Sequence, residues 1–128
     1  MFDAEDTASH AALIADVGER FGDLDVVVQA FGQLGEAGLD DPIAAARLAQ
    51  VNYVGAVSSG LAVAEHLHDV TKCRALFATH YHELTELAAS AARADNYSVS
   101  AREHAGSIVF FHKIQRGAAS RSYGVACA

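Results

Sequence analysis

The spacing of apolar residues along the chain predicts three helices. Residues 6–21, "DTASHAALIADVGERF", place apolar side chains every three or four positions, and Gly22 follows as a stop signal. Residues 41–69 form the longest such stretch, with Pro42 at the first helical position, where a missing N–H does no harm. Residues 81–93, "YHELTELAASAAR", form the third predicted helix.

Continuous apolar runs between these helices predict buried strands. Residues 24–32, "LDVVVQAFG", and 73–79, "CRALFAT", have the unbroken hydrophobicity of parallel strands covered on both faces. Residues 96–114 contain two β-forming runs around "EHAG", which is typical of an antiparallel hairpin. The order α-β-α-β-α-β-β therefore predicts an α/β fold: a small layered sandwich whose mixed sheet of about four strands combines a parallel core pair with the C-terminal hairpin.

Composition narrows the class of protein. The 128 residues are 52% hydrophobic and 20% charged, which predicts one domain able to bury a core. No apolar run approaches the roughly 18 residues of a membrane span, and the acidic N-terminus does not resemble a signal peptide. Two cysteines form no disulfide framework, so we expect a cytoplasmic chain, or one made by recombinant expression.

Charge is distributed unevenly along the chain. Residues 1–60 carry ten acidic and two basic side chains, whereas residues 61–128 carry six acidic and seven basic ones, for a net charge of −7. Such a shift is unusual inside one small domain, and it has two interpretations: chance, or different histories for the two halves. Because phosphate contacts need a basic surface, we expect no nucleic acid among the partners, and no membrane.

Two stretches, "FDAEDTASHAALIADVGERFGDLDVVVQAFGQLG" and "ARLAQVNYVGAVS", make residues 1 to about 60 similar to the short-chain dehydrogenase/reductase family. Within it, the decaprenylphosphoryl-ribose epimerase reductases resemble this segment most. The resemblance implies that "QAFG", which ends at Gly32, occupies the turn beneath the NAD(P) cofactor. It also implies that Asn52 is the helix asparagine that supports a catalytic lysine through a water.

Residues from about 61 to 128 resemble a different family, the ATPase domain of the MutS DNA mismatch-repair proteins. The stretches "AVAEHLHDVTKCRALFATHYHELTELA" and "NYSVSAREHAGSIVFFHKIQRGAASRSYGVACA" carry this resemblance, and "FATHYHELTEL" with "RSYG" is its most specific part. It implies that His80 is the strand-end histidine near the γ-phosphate of ATP.

The two resemblances meet near "SSGLAVAEHL", inside the helix predicted over 41–69. We interpret the chain as a single chimeric domain, recombined or de novo, with its join in that helix between a dehydrogenase-like segment, 1–60, and a MutS ATPase-like segment, 61–128. The Gly-rich dinucleotide turn, the Tyr-x-x-x-Lys pair, the phosphate loop G-x-x-x-x-G-K-[ST] and the acidic Mg²⁺ ligands are all absent from the sequence. We therefore predict that the chain is not an enzyme and has no required cofactor, with vestigial NAD(P) or ATP contacts at Gly32, Asn52 and His80.

The histidines also offer a weak metal site. If residues 80–82 are extended, His80 and His82 point to the same side and reach one Zn²⁺, for which Glu83 or His104 would have to supply a third ligand. Alternatively, both histidines are solvated loop residues, and Glu83 lies in the first turn of a helix, where negative charge is favoured. The metal site is the weaker of the two interpretations.

Three functions remain open at this point. The first is a folded scaffold with no evolved catalytic function and no evident partner. The second is weak binding of a nucleotide or other anion at the carboxyl ends of the strands, where open α/β sheets hold ligands. The third is a self-associating module, a homodimer or strand-exchanged assembly joined through open sheet edges.

Overall fold

The computed structural model describes residues 1–22, 27–34, 41–104 and 107–119. The chain divides into two compact units, Met1–Cys73 and Arg74–Ala128. The first unit is helical, and the second contains a short helix and a β-hairpin. The prediction of a single domain with its join near residue 60 stays a prediction.

The long helix predicted over 41–69 is present. Four helical segments follow one another without a break in right-handed backbone geometry: α2 (Pro42–Ala49), a π-helical segment (Gln50–Gly55), α3 (Ala56–His66) and a second π-helical segment (Leu67–Thr71). Pro42 begins the helix as predicted, and the side chain of Asp41 caps it by accepting from the N–H groups of Ile43 (2.9 Å) and Ala44 (3.3 Å).

The first predicted helix is also present. A 3₁₀ turn (Thr7–Ser9) leads into α1 (His10–Phe21), and Gly22 ends α1 with φ of +65°, a conformation that glycine adopts without strain. α1 packs against α3, and the buried positions of α3 are small ones: Ser59, Gly60 and Ala62. Small side chains let the two helices approach closely, as expected where backbones rather than bulky side chains meet.

The N-terminal segment lies against the long helix at Gly55. A Cβ placed on Gly55 would lie 2.5 Å from the main-chain oxygen of Ala4 and 3.1 Å from the Ala4 side chain. Gly55 is buried, so nothing but a glycine fits there without moving the main chain of the N-terminal segment. This close approach explains a glycine inside a helix, where it would otherwise cost about 1 kcal/mol relative to alanine.

The second unit is built on an antiparallel hairpin. Its elements are a 3₁₀ segment (His82–Glu86), α4 (Leu87–Ser90), β1 (Tyr97–His104) and β2 (Ser107–Arg116). The register joins Tyr97 to Arg116 and Val99 to Ile114, with an irregularity between Val99 and Ala101. The hairpin predicted over 96–114 is thus confirmed, whereas the helix predicted over 81–93 ends at Ser90.

The base of the hairpin is held by polar contacts. Gly117 donates its N–H to the main-chain oxygen of Asn96 (2.7 Å), and the Asn96 side chain donates to the main-chain oxygen of Thr85 (2.7 Å). Arg116 pairs with Asp95, and the hydrogen bond to Asp95 raises the pKa of the guanidinium. The short helix and the hairpin are therefore joined through Asn96.

The predicted mixed sheet of about four strands is not what the described residues form. Their sheet has two strands, β1 and β2. Residues 27–32 and 73–79 have no regular secondary structure, and the start of the run predicted over 24–32 lies outside the described residues. An apolar run becomes a strand only when a neighbouring strand takes its hydrogen bonds, and neither run has such a neighbour in the described residues of its own unit. Within the described ranges, no helix is long and apolar enough to cross a membrane.

Replacing Gly55 by alanine tests the close approach to the N-terminal segment. Alanine has the higher helix propensity, but its Cβ would collide with the main-chain oxygen of Ala4, which cannot rotate away. We expect a net loss of about 1–3 kcal/mol in the free energy of unfolding, measured by urea denaturation followed by circular dichroism.

Gly18→Ala is the matched control. Its Cβ would lie 2.9 Å from Nε2 of His66, the far end of a side chain that can rotate. We expect a change within about 1 kcal/mol of zero, since the gain in helix propensity offsets the repacking. Equal losses in the two variants would contradict the argument from the Ala4 main chain.

Candidate functional site

Two of the predicted site residues, Gly32 and Asn52, come together in the first unit. A Cβ on Gly32 would lie 3.5 Å from Oδ1 of Asn52. Asn52 is on the π-helical segment and uses both ends of its amide on Gln33: Oδ1 accepts from the Gln33 N–H (2.7 Å), and Nδ2 donates to the Gln33 main-chain oxygen (2.8 Å). Asn52 thus satisfies both main-chain groups of Gln33, as a neighbouring strand would.

A second polar tether holds the same segment, residues 27–34. The side chain of Gln29 donates to Oγ of Ser59, which itself donates to the main-chain oxygen of Gly55 (2.7 Å). Ser59 is 3% exposed, so its hydrogen bond to Gly55 is shielded from water. Residues 27–34 are therefore fastened along the long helix by side chains at Asn52 and Ser59.

His80 lies in the second unit and is exposed. Its ring is tilted on that of Tyr81, with centroids 4.3 Å apart and an interplanar angle of 38°. The site predicted from sequence therefore draws Gly32 and Asn52 from the unit Met1–Cys73 and His80 from the unit Arg74–Ala128.

The described residues show no arrangement that supports a metal site at His80 and His82. His82 is the first residue of the 3₁₀ segment, and its Nε2 is buried with no hydrogen-bond partner in the described part of the chain. Glu83 lies in the first turn, as predicted. Across residues 1–22, 27–34, 41–104 and 107–119, no three His, Cys, Asp or Glu side chains gather in a way that could hold a metal ion.

One polar cluster was missed by the sequence interpretation. His10 is 1% exposed; its Nε2 donates to the main-chain oxygen of Asp3 (2.8 Å), and its Nδ1 lies 3.0 Å from Oγ of Ser58. Because a carbonyl oxygen can only accept, Nε2 carries a proton. The Ser58 hydroxyl, which shares a hydrogen bond with Nδ1, also donates to the main-chain oxygen of Thr7 (3.4 Å). The signal was present in the pattern, since His10 begins the same helical stripe as Leu13 and Val17.

Comparison with known proteins gives a family match for residues 51–128. The family model described as MutS domain V matches residues 51–128. A DNA mismatch repair protein MutS from Sorangium cellulosum is 67% identical over 67 residues, covering 52% of this chain and 7% of that protein. The corresponding protein from Dinoroseobacter shibae is 54% identical over 74 residues, covering 55% of this chain and 8% of the relative. No solved structure matches.

These matches correct the predicted function and the predicted partners. The interpretation as a recombined or de novo chimera without an evolved function is wrong, because residues 51–128 match a known domain of DNA mismatch repair proteins. The prediction of no evident partner and no nucleic acid is wrong for the same reason. The chain covers only 7–8% of these relatives' length, so motifs missing from this segment were no evidence about the function of the larger proteins.

The family match begins at residue 51. The resemblance of residues 1 to about 60 to short-chain dehydrogenases stays a prediction, as do the NAD(P) contacts that it implied at Gly32 and Asn52.

Asn52→Ala tests the tether on Gln33. Losing both hydrogen bonds at an exposed site should lower the free energy of unfolding by about 1 kcal/mol and speed hydrogen exchange at the Gln33 amide. Asn52→Asp keeps the acceptor but loses the donor, so Gln33 amide protection should survive while stability falls.

Gln33→Ala is the matched control, because Asn52 contacts only the Gln33 main chain in these two bonds. It should leave unchanged the free energy of unfolding and the slow hydrogen exchange of the main-chain amide at position 33. A loss in Gln33→Ala equal to that in Asn52→Ala would show that the side chain, not the backbone pairing, matters.

Proposed function

We propose, from the premise that this chain belongs to the MutS domain V family, that residues 51–128 serve as part of a DNA mismatch repair protein. The observation that carries the proposal is the family match over 51–128, together with 67% identity to a MutS protein over 67 residues. The cytoplasm is the location that we propose for such a chain.

His80 is the residue that we propose as a nucleotide contact, with ATP as the cofactor. Its imidazole is exposed and lies shortly before the 3₁₀ segment His82–Glu86, so its ring is accessible to a ligand at that end. Ring nitrogens of histidine donate to phosphate oxygens when protonated. Hydrolysis itself is not proposed for this chain alone, because it lacks the phosphate loop that presents a lysine to the phosphates.

We propose that the predicted sheet of about four strands forms when this segment is part of a larger protein. Residues 73–79 have no regular secondary structure, with Leu76 97% exposed and Phe77 44% exposed. Exposed apolar side chains next to unpaired backbone groups favour pairing with a further strand. We propose that a strand from elsewhere in the larger protein pairs with this run.

A segment exchange tests the mismatch-repair proposal. The matching segment of the relative with 67% identity is replaced by that of this chain, and the product is expressed in bacteria that lack their own MutS. We expect the spontaneous mutation frequency to fall to the level given by the unaltered relative, because a family segment of this identity should replace its counterpart.

His80→Ala in the exchanged segment should return the mutation frequency toward that of the deficient strain. His104→Ala, which changes an exposed histidine at the end of β1, is the matched control and should not. If the exchange fails although the protein accumulates normally, the proposed function is wrong; if both histidine variants behave alike, the role of His80 is wrong.

The isolated chain should release no phosphate from Mg·ATP above the rate of a buffer blank. The unaltered relative, assayed beside it, is the positive control. Hydrolysis that copurifies with the chain and is abolished by His80→Ala would contradict the proposal that this chain alone does not hydrolyse ATP.

A further inference from the structure

β2 contains a bulge opposite Ser100, between the base and the tip of the hairpin. Three residues of β2, 111–113, lie opposite this one residue of β1, so β2 carries two surplus residues. The Ser100 hydroxyl donates to the main-chain oxygen of Lys113 (3.1 Å), which gives the bulge a side-chain hydrogen bond in place of a strand pair. The pairs that flank the bulge are Val99–Ile114 at the base and Ala101–Phe110 at the tip.

His112, the middle residue of the bulge, has a strained backbone. Its φ is +52°, in the left-handed region where the Cβ of an L-residue comes too close to the following carbonyl oxygen. Its side chain is exposed, so burial of the ring does not hold the backbone in this conformation. A register without the bulge would relieve the strain, because His112 would then take ordinary strand geometry.

The hairpin sequence offers such a register. If the base register continued to the tip, Ser100 would pair with Lys113 through the main chain. Glu103 would then lie opposite Phe110 instead of its present partner, Ile108. The tip of β2 would move by two residues, and side chains of a strand alternate between faces with a period of two. Each side chain at the tip would therefore keep its face, so burial does not choose between the two registers.

We propose that the hairpin is a two-register switch, in which the tip of β2 slides along β1 by two residues between the bulged register and a straight one. The two surplus residues of the bulge supply the length for the slide, and the strain at His112 favours it. The proposal does not rest on the mismatch-repair function, because it follows from the pairing and the backbone of the hairpin alone.

The base of the hairpin confines the slide to the tip. Arg116 pairs with Asp95, and the N–H of Gly117 donates to the main-chain oxygen of Asn96 (2.7 Å). Asn96 in turn donates through its side chain to the main-chain oxygen of Thr85 (2.7 Å). These contacts fix the base register, so only the residues between the bulge and the tip change partners.

The consequence is a hairpin of adjustable length. Each strand residue rises by about 3.3–3.4 Å, so the slide shifts the tip of β2 by about 7 Å relative to β1. A bulge also twists a strand and blunts its edge as a template for a further strand. The straight register therefore presents a regular outer edge of β2, which has no neighbour in the two-stranded sheet of the described residues.

Cysteine pairs distinguish the registers, because a disulfide joins directly opposite residues, whereas diagonal neighbours lie about 7–8 Å apart and out of reach. Cys73 and Cys127 are replaced by serine. Glu103→Cys is combined with Ile108→Cys to trap the bulged register, or with Phe110→Cys to trap the straight one. We expect both pairs to cross-link, the bulged pair faster. Glu103→Cys with Val109→Cys, on opposite faces, is the control pair and should not cross-link.

Variants of His112 should shift the ratio of straight to bulged cross-linking rates. His112→Gly relieves the strain in the bulged register alone, so it should lower this ratio by about fivefold or more. His112→Val should raise the ratio, since a β-branched residue is least tolerated at positive φ and most favoured in a strand. Gln115→Gly, at a base position that is paired with Ser98 in both registers, is the matched control and should leave the ratio unchanged.

Three results would overturn the proposal: no cross-link between positions 103 and 110 in any variant, a ratio that does not respond to position 112, or a ratio that Gln115→Gly lowers as much as His112→Gly. Relaxation dispersion on the unmodified chain gives a test without cysteines. The amides of residues 100–103 and 108–113 should exchange between two environments on the microsecond-to-millisecond timescale, and those of 97–99 and 114–116 should not. A tip without exchange, or a base that exchanges as much as the tip, contradicts the switch.

Discussion

The structure of the first unit depends on one close approach, that of the Ala4 carbonyl to the long helix at Gly55. A Cβ there would lie 2.5 Å from that oxygen, so the absence of a side chain is what lets the N-terminal segment reach the helix. Once there, the segment offers its Asp3 carbonyl to the buried His10 and its Phe2 ring to His10 and Phe31. His10, in turn, joins α1 to α3 through Ser58. A single small residue thereby positions the Phe2 ring and satisfies a buried histidine.

Polar tethers carry much of the remaining organisation. Asn52 pairs with the Gln33 backbone, Gln29 with Ser59, and Asn96 joins the short helix to the hairpin. Large apolar side chains in both units stay exposed, among them Val28 at 79%, Leu76 at 97% and Ile114 at 75%. Directional hydrogen bonds fix where segments lie, whereas burial of apolar area supplies most of the free energy of folding. That combination suits our proposal that this family segment meets further strands in a larger protein.

The prediction of a chimera without function is wrong because it rests on missing motifs. The phosphate loop and Tyr-x-x-x-Lys are absent from this sequence, but the chain covers only 7–8% of the length of its curated relatives and need not carry every motif of a larger protein. The motif "FATHYHELTEL" pointed to the MutS family on its own, and the family match over 51–128 confirmed it. The charge change near residue 60 does not coincide with the start of that match at residue 51.

The sequence by itself determined the elements that rest on local rules. Helix spacing, Pro42, Asp41 and Gly22 defined α1 and the long helix, and the runs around "EHAG" defined the hairpin. These elements depend on residues three or four positions away in the sequence or on a tight turn. Only the tertiary structure decided that 73–79 pairs with no strand among the described residues, that His10 is buried and that Gly32 lies beside Asn52. Those outcomes depend on groups that are distant in sequence, and no periodicity encodes which distant group supplies a hydrogen bond.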